Sequence, residues 1–314
     1  MTLPLVSAVM ATYDGERFVR AAVESVLAQD YGALEVIVCD DGSRDGTLDV
    51  LRAFGARIRL IEQENAGVSV ARNRAARVAT GEFIAFLDQD DLWDVRLLST
   101  QVPRLLEHPE WGFVYADSAI VDADGRARGR RGQHLTYAEG DVFRALLSGN
   151  FVPLETLVMR ADVLRELGGF RVDLRYLEDF DLCLRAARAR PVGFTSRVLA
   201  SYRIHDSNLT HQMHEIVREY ALLLDELATD ATDAPLSPGD AAVVEHERRR
   251  RHGELAWYAL RRADVEEADR WLAREPAALR PAKLRILRAL CGVLPHGLYA
   301  RLVALLPRPK LYGV

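Results

Sequence analysis

The sequence is organised around residues 83–93, which read Phe-Ile-Ala-Phe-Leu-Asp-Gln-Asp-Asp-Leu-Trp. The first five are apolar and predict a short strand buried on both faces, because a covered parallel strand loses its alternation of apolar and polar residues. Three carboxylates, Asp88, Asp90 and Asp91, follow within four residues, although like charges this close repel each other. A hard divalent cation offsets such repulsion, and open α/β sheets bind ligands at the carboxyl ends of their strands. The stretch therefore predicts a site for a metal-bound phosphate.

Length and composition limit the class of protein. The 314 residues suffice for one large α/β domain and a smaller appendage, and the net charge of −5 gives no general attraction to nucleic acid. Three dispersed cysteines (Cys39, Cys183 and Cys291) favour a reducing compartment over a disulfide framework. We see neither the pattern of a signal peptide nor the run of about 18 apolar residues that spans a membrane. These features predict a cytoplasmic protein.

The first 87 residues alternate strands with helices. The pattern predicts strands at residues 6–10, 34–39, 58–61 and 83–87, and helices at residues 17–29, 48–54 and 69–78. An order of β-α-β-α-β-α-β predicts a mostly parallel sheet with right-handed crossovers. Three of the strands end in acidic turns, which carry Asp14, the pair Asp40 and Asp41, and the pair Asp88 and Asp90. One edge of the sheet is therefore expected to be strongly acidic.

The rest of the first 211 residues has a weaker pattern. It predicts helices at residues 97–106, 142–147, 161–167 and 178–190, and strands at residues 112–116, 119–121, 155–159 and 198–204. A turn is expected at residues 122–125, and the arginine-rich residues 126–131 are interpreted as a basic loop. We interpret residues 1–211 as a catalytic domain, with a nucleotide-binding half at about 1–93 and an acceptor-side half at about 94–211.

Residues 212–314 predict a helical C-terminal extension, with helices at residues 212–230, 241–273 and 281–306. Residues 281–314 carry six Lys or Arg residues and no acidic residue. That asymmetry, with interleaved leucines, is typical of a helix lying on an anionic membrane. A helical hairpin that packs its leucines on the catalytic domain explains the pattern equally well. Both alternatives stay open at this point.

The Asp88-x-Asp90 pair can hold one magnesium or manganese ion and leave coordination sites for phosphate oxygens. A calcium loop at Asp41 is disfavoured, because the twelfth position from it is Arg52 rather than Glu and because a strand and a short helix flank it instead of two helices. The sequence contains neither a Gly-x-x-x-x-Gly-Lys-Ser/Thr loop nor a Gly-x-Gly-x-x-Gly after the first strand. A P-loop kinase and a dinucleotide dehydrogenase are therefore disfavoured.

Glu178 and Asp179 form a second acidic pair, at the start of a predicted helix. They could serve only as favourable charges against the helix dipole. Alternatively, Asp179 is a general base that takes a proton from an incoming hydroxyl group. Arg72 could contact a nucleotide or only solvent, and His205 could be a third metal ligand, a phosphate donor or a structural histidine.

Taken together, these segments resemble the family 2 glycosyltransferases, which have the nucleotide-diphospho-sugar transferase (GT-A) fold. The resemblance covers about residues 4–210. Its motifs are Val6-Ser-Ala-Val-Met-Ala-Thr-Tyr-Asp14, Gln29-Asp-Tyr, Glu35-Val-Ile-Val-Cys-Asp-Asp-Gly-Ser-Arg-Asp-Gly-Thr47, Asn65-Ala-Gly-Val-Ser-Val-Ala-Arg-Asn73, Gly81-Glu-Phe-Ile-Ala-Phe-Leu-Asp-Gln-Asp-Asp91, Leu167-Gly-Gly-Phe170, Glu178-Asp179 and Tyr202-Arg-Ile-His205.

The resemblance implies an inverting, metal-dependent transfer of a sugar from a nucleotide diphosphate, with Mn²⁺ or Mg²⁺ as the cofactor. It implies that Asp179 is the general base, supported by Glu178, and that the Gly168-Gly169 turn approaches donor sugar and acceptor. The implied nucleotide-binding residues are Thr12, Tyr13, Asp14, Asp41, Arg72, Asp88 and Gln89. The implied metal-binding residues are Asp90, Asp88 and His205.

The implied donor is a UDP-sugar, with dTDP and GDP sugars left open, and the acceptor is a glycan or a lipid-linked saccharide. The sequence lacks the Gln-x-x-Arg-Trp motif of processive polymerases, which favours addition of a single sugar. The basic residues 126–131 indicate a charged acceptor, and residues 281–314 a peripheral contact with the inner face of the plasma membrane. Two rival interpretations remain, a nucleotidyltransferase-like enzyme on a related fold and a non-catalytic sugar-nucleotide or glycan-binding protein.

Overall fold

The computed structural model describes residues 2–206, 212–229, 235–275 and 282–293. By its internal contacts the chain divides into two compact units, of which the first ends at Asn208 and the second begins at Leu209. The first unit is an α/β domain with one mixed sheet, and the described part of the second unit is helical.

The N-terminal part of the first unit has the predicted alternation of strands and helices. Its elements are β1 (Val6–Thr12), α1 (Val19–Leu27), β2 (Leu34–Asp40), α2 (Thr47–Arg52), β3 (Arg59–Glu62), α3 (Val68–Arg77) and β4 (Phe83–Asp88). β1 pairs in parallel with both β2 and β4, and β2 pairs in parallel with β3. The carboxyl ends of these strands therefore meet at one edge of the sheet, as the sequence predicted.

The remainder of the first unit extends the same sheet. Its elements are β5 (Leu92–Trp93), α4 (Leu97–Glu107), β6 (Phe113–Asp122), β7 (Ala127–Arg130), α5 (Phe143–Leu146), β8 (Val158–Arg160), α6 (Ala161–Glu166), α7 (Glu178–Ala189) and β9 (Val192–Ile204). The strand order is β3-β2-β1-β4-β8-β6-β9-β5, with β7 beside β6. β6 and β9 are parallel, whereas β8 is antiparallel to both of its neighbours. The predicted fold class, a mostly parallel sheet flanked by helices, is confirmed.

Burial explains why the N-terminal elements form where they do. All seven residues of β1 are buried, so the strand is covered on both faces. α1 buries Val19, Ala22, Val23 and Val26, a spacing that places all four on one helical face. Leu97 and Val102 of α4 enter the same apolar core. The core thus holds the sheet in position and leaves its carboxyl edge for polar residues.

Several predicted elements in residues 94–206 differ from the structure. Residues 113–122 form one strand rather than two, because β9 pairs with β6 along its whole length. Residues 127–130 form a strand rather than a loop, because the turn at Gly125 folds them back on β6. The strand predicted at residues 155–159 is confined to residues 158–160, after a single turn of 3₁₀-helix at residues 154–156.

The second unit contains α8 (Met213–Thr229), α9 (Pro238–Arg261), α10 (Val265–Ala273) and α11 (Ala282–Val293). The single helix predicted at residues 241–273 is broken, because Ala263 has a φ of 59° and Asp264 caps a new helix by accepting a hydrogen bond from the N–H of Glu267. Leu284 and Leu287 of α11 are buried in the unit's own apolar core, which also contains Trp271.

The described part of residues 281–306 therefore packs these two leucines within the second unit, and the packing of a hairpin on the catalytic domain stays a prediction. The rest of the predicted membrane segment, residues 294–314, lies outside the described residues, so its contact with a membrane stays a prediction. Of the helices in the described ranges, none is both long and apolar enough to cross a membrane.

Candidate active site

The ends of β1 and β4 are joined through Gln89. The hydroxyl group of Thr12 donates to Gln89 Oε1 over 2.6 Å, and the N–H of Tyr13 donates to the same oxygen over 2.9 Å. In return, Gln89 Nε2 donates to the carbonyl oxygen of Tyr13 over 3.1 Å. The ring of Tyr13 remains 40% exposed. These hydrogen bonds therefore fix the ends of β1 and β4 relative to each other and leave the side chain of Tyr13 exposed.

Asp14 and Asp41 each fasten a loop at the same edge of the sheet. Asp14 has a φ of 48°, and its Oδ1 accepts the N–H of Arg44 over 2.7 Å. Asp41 is buried, and its carboxylate accepts the N–H groups of Ala66 and Gly67, both over 2.8 Å. Both side chains therefore hold these loops through bonds to the chain itself, and their contact with a nucleotide stays a prediction.

Arg72, on α3, connects the two acidic motifs. Its guanidinium donates from Nη1 to Glu178 Oε1 over 2.8 Å and from Nη2 to Asp88 Oδ1. The arginine is only 4% exposed and packs over the ring of Phe170 at 5.2 Å. The described hydrogen bonds of Arg72 are thus to the end of β4 and the start of α7, whereas the sequence predicted a contact with a nucleotide or with solvent.

Asp179 lies in the first turn of α7, next to Glu178. Its Oδ1 accepts the N–H of Phe180 over 2.6 Å. Burial, and then the negative charge of Glu178, raise the pKa of Asp179 to about 7, although the guanidinium of Arg72 opposes the rise. A carboxyl group with this pKa exchanges its proton readily near neutral pH, which is the property that a general base requires.

Asp90 and His205 are in direct contact. His205 Nε2 and Asp90 Oδ2 are 2.7 Å apart, and both side chains are largely buried. Burial and the charge of Asp88 raise the pKa of Asp90, and the hydrogen bond to His205 opposes this. A carboxylate oxygen is a suitable ligand for Mn²⁺ or Mg²⁺, and an imidazole nitrogen is a ligand of transition-metal ions. A cation at this place would offset the repulsion between Asp88 and Asp90.

Across the described ranges, no group of three or more His, Cys, Asp or Glu side chains has the arrangement of a metal site. The structure brings Asp90 and His205 together, but it holds Asp88 against Arg72 instead. The three residues expected to bind metal are therefore in two separate contacts, Asp88 with Arg72 and Asp90 with His205. The side chains of Asp90 and His205 have donor atoms that fit a cation.

Two further acids near this edge, Asp91 and Glu155, are not among the nucleotide-binding, metal-binding or catalytic residues that the resemblance implied. Asp91 is 2% exposed and accepts the main-chain N–H of Arg203 over 2.8 Å. Burial, Glu155 and then Asp90 raise the pKa of Asp91 well above its usual range. The main-chain carbonyl of Glu155 in turn accepts a hydrogen bond from the indole of Trp93 over 2.8 Å. Glu155 follows an uncharged stretch, so nothing local indicated that it would face Asp91.

The Gly168-Gly169 turn is held by α3. Both glycines have positive φ, and a Cβ on Gly169 would lie 2.4 Å from Asn73 Oδ1. Asn73 Oδ1 accepts the N–H of Phe170 over 2.8 Å, and Asn73 Nδ2 donates to the carbonyl of Phe170 over 2.7 Å. The side chain of Asn73 therefore fixes a turn that lies 97 residues further along the chain.

Each arginine of the basic segment 126–131 has an acidic partner. Arg126 pairs with Asp124, and Arg128 pairs with Asp122 over 2.7 Å. The other two pairs are Arg130 with Asp117 and Arg131 with Glu155, both over 3.7 Å. The segment is thus not a patch of uncompensated positive charge, which weakens the case for an anionic acceptor at this place.

The sheet and its acidic edge have the arrangement expected of the GT-A fold. A family model described as glycosyl transferase family 2 matches residues 7–168, more than half of the chain. The chain therefore belongs to the family 2 glycosyltransferases and is an enzyme. This confirms the family expected from the sequence motifs and excludes the two rival interpretations.

A relative from Escherichia coli, named UDP-Glc:alpha-D-GlcNAc-diphosphoundecaprenol beta-1,3-glucosyltransferase WfgD, is 31% identical over 230 residues, which are 70% of this chain and 86% of the relative. Two solved structures show the same fold. S. aureus TarS (residues 1–349), in complex with UDP-GlcNAc, has a TM-score of 0.65 at 20% identity, over 95% of this chain and 90% of that one. Mannosyltransferase PcManGT from Pyrobaculum calidifontis, in complex with GDP-Man and Mn²⁺, has a TM-score of 0.57 at 22% identity, over 97% and 85%.

Proposed function

We propose that this enzyme transfers a hexose, with inversion, from a UDP-sugar to a hydroxyl group of a glycan or lipid-linked saccharide in bacterial-type polysaccharide assembly. The observation that carries the proposal is the guanidinium of Arg72, which binds Asp88 at the donor side and Glu178 beside Asp179 at the acceptor side. This contact connects the strand end that we expect to bind the diphosphate with the start of α7, where Asp179 has a pKa of about 7 that suits a base.

In the proposed reaction, the acceptor oxygen attacks the anomeric carbon from the face opposite the diphosphate. The bond from that carbon to the phosphate oxygen breaks, and its electron pair leaves on the nucleoside diphosphate. Asp179 takes the proton of the acceptor hydroxyl group, and Glu178 fixes the position of α7 through Arg72. Attack from the opposite face inverts the configuration at the anomeric carbon.

The nucleotide is proposed to bind at the strand ends that carry Thr12, Tyr13, Asp14 and Asp41, with Arg72, Asp88 and Gln89 beside them. Asp90 and His205 would hold Mn²⁺ or Mg²⁺, with Asp88 contributing from the ribose side. When bound, such a cation neutralises the charge that develops on the leaving diphosphate. Support comes from the donor chemistry of Asp90 and His205 and from the structural neighbour PcManGT, which was solved in complex with Mn²⁺.

The domain boundaries and the location of the enzyme are also proposals. Residues 1–211 would form the catalytic domain, with its nucleotide-binding half at about 1–93 and its acceptor-side half at about 94–211, and residues 212–314 the helical extension. The division of contacts at Asn208 supports this boundary. We place the enzyme in the cytoplasm, at the inner face of the plasma membrane if residues 281–314 bind lipid, since the named E. coli relative acts on a lipid-linked acceptor.

Thermal unfolding of the full chain with UDP, dTDP and GDP, each with and without Mn²⁺, tests the donor site. A ligand present at about 100 times its Kd stabilises the native state by about 2.7 kcal/mol. We expect UDP with Mn²⁺ to raise Tm by several degrees and the other nucleotides by less. If none of the nucleoside diphosphates changed Tm, a nucleotide-sugar donor would be contradicted.

A further inference from the structure

Arg203, near the end of β9, is buried although it carries a full charge. It is 6% exposed, and its guanidinium donates to three main-chain carbonyl oxygens. These bonds are from Nε to Asp90 over 2.8 Å, and from Nη1 to Ala123 over 3.0 Å and to Asp122 over 3.4 Å. A buried charge must satisfy its donors in this way. The same side chain therefore fixes the loop after β4 and the turn between β6 and β7.

Phe18, at the start of α1, connects Arg203 with His205. The guanidinium carbon of Arg203 lies 5.1 Å from the centroid of the Phe18 ring. The ring of His205 stacks on Phe18 with centroids 4.9 Å apart and planes 29° apart. Phe18 thus limits the rotation of the imidazole while Arg203 packs on the same ring.

The loop after β4 is joined to β9 a second time through the main chain of Arg203. The N–H of Arg203 donates to Asp91 Oδ1 over 2.8 Å, beside the side-chain bond to the carbonyl of Asp90. Arg203 therefore holds the main chain next to the Asp90 carboxylate with two hydrogen bonds, one from its side chain and one from its main chain. His205, two residues after Arg203, then meets Asp90 Oδ2 at 2.7 Å.

We infer that Arg203 is a positioning residue for the divalent cation: it holds the Asp90 main chain and, through Phe18, the His205 ring in the relative position that a shared cation requires. This inference rests on the proposed function, which places a cation at Asp90 and His205. Arg203 touches neither the cation nor the substrate in this role. Groups that orient metal ligands typically change metal affinity by about 10- to 100-fold when they are removed.

Two substitutions separate the contributions of Arg203. Arg203→Met keeps an unbranched side chain of similar length but removes every donor. Arg203→Lys keeps the charge but not the planar fork that reaches three carbonyls. In the full chain with saturating UDP, we expect the Mn²⁺ dissociation constant to rise about 10- to 100-fold in Arg203→Met and by less in Arg203→Lys. The measurements are Mn²⁺ titration by electron paramagnetic resonance and the KM for Mn²⁺.

A merely structural role would not give the same pattern. We expect kcat at saturating Mn²⁺ to recover to within a few-fold of the wild type in Arg203→Met, because excess cation compensates for weaker binding. The affinity for UDP without metal should not change. Arg126→Met is the matched control, since Arg126 lies in the same β6–β7 turn but pairs with Asp124 at the surface. It should bind Mn²⁺ as the wild type does.

If Arg203→Met does not fold, Phe18→Leu tests the same connection, because it removes the ring that stacks on His205 and keeps an apolar side chain. We expect a weaker Mn²⁺ affinity in this variant too. Unchanged Mn²⁺ affinity in Arg203→Met, or in Phe18→Leu where that variant replaces it, would overturn the inference and leave the proposed function standing. A wild-type enzyme that bound no Mn²⁺ with UDP would overturn the proposed cation and this inference with it.

Discussion

Residues 2–93 and residues 94–206 reach the same edge of the sheet by different means. In the first region, acids follow directly after parallel strands, so that Asp88 and Asp90 are placed by the strand that precedes them. In the second, the acids stand at the start of α7 and a histidine follows β9. The two regions are joined by contacts over long distances in the chain, 106 residues from Arg72 to Glu178 and 115 residues from Asp90 to His205. The comparison teaches that the position of the proposed donor site is determined by local sequence, whereas the position of the proposed base depends on contacts between the two regions.

The largest effect is expected at Asp179, next to the contact between Arg72 and Glu178 that joins the two regions. Asp179→Asn removes the proposed base and keeps the shape of the side chain. We expect kcat to fall by about 10²- to 10⁴-fold, the range that a positioned general base contributes. The binding of nucleotide, which belongs to the other region, should not change. Initial rates of sugar transfer and calorimetric titration with UDP measure the two quantities.

A loss of stability is not expected to explain the fall in kcat of Asp179→Asn. Because the folded pKa of Asp179 is raised to about 7, its charged form lowers the stability as pH rises from about 4 through 7. At pH 8, Asp179→Asn should therefore be as stable as the wild type or up to about 2 kcal/mol more stable. Asp173→Asn, an exposed acid on the preceding loop, is the control and should keep full activity. Unchanged turnover in Asp179→Asn would exclude Asp179 as the base.

The next largest effect is expected on the free energy of unfolding, when the guanidinium of Arg72 that joins the two regions is removed. Arg72→Met leaves Glu178 buried without its partner and Asp88 without its ion pair. Breaking a buried pair in this way costs about 3–5 kcal/mol. Arg77→Met, on the exposed face of the same helix, should change stability by no more than about 0.5 kcal/mol. Urea unfolding curves measure both, and a loss below about 1 kcal/mol in Arg72→Met would show that the two regions do not depend on this contact.

The elements of the first region were predictable because their pattern is local. Strands predicted at residues 34–39 and 83–87 occur at residues 34–40 and 83–88, and the acids follow them as expected. The partners of Arg72 were not predictable, since a helix face does not indicate which loop will cover it. Arg203 lies inside a recognised motif, Tyr202-Arg-Ile-His205, but its donors are satisfied by carbonyl groups about 80 and 113 residues earlier in the chain.

In the second region, β9 begins six residues earlier than predicted because long-range packing overrides the local pattern. Gly193 interrupts an apolar run and suggests a strand end. In the structure, a Cβ at this position would lie 2.0 Å from the ring of Trp111, so that glycine allows the strand to pass the indole. Residues 113–116 of β6 then supply its hydrogen-bond partners. Neither contact can be recognised from residues 192–197 alone.

A smaller effect is expected from pH. Only the carboxylate form of Asp179 can take a proton, and its pKa is about 7. We therefore expect kcat/KM for the donor to rise about tenfold per pH unit below pH 7 and to level off above it. In Asp179→Asn this rise should disappear from the residual activity. A profile that is flat between pH 5.5 and 8 would contradict the assignment.

The smallest effect is expected at an ion pair on the surface of the second region. It tests whether the contact of Arg72 with Glu178 is important because it is buried or only because it is charged. Arg128 binds Asp122 over 2.7 Å, as Arg72 binds Glu178 over 2.8 Å, but the side chain of Arg128 is 64% exposed and that of Arg72 only 4%. Exposed pairs contribute about 0–1 kcal/mol and are screened by salt. Arg128→Ala should therefore lower stability by less than about 1 kcal/mol, and by still less in 0.5 M NaCl. If it instead raised the KM for an anionic acceptor while stability held, the basic segment would regain its predicted role in acceptor binding.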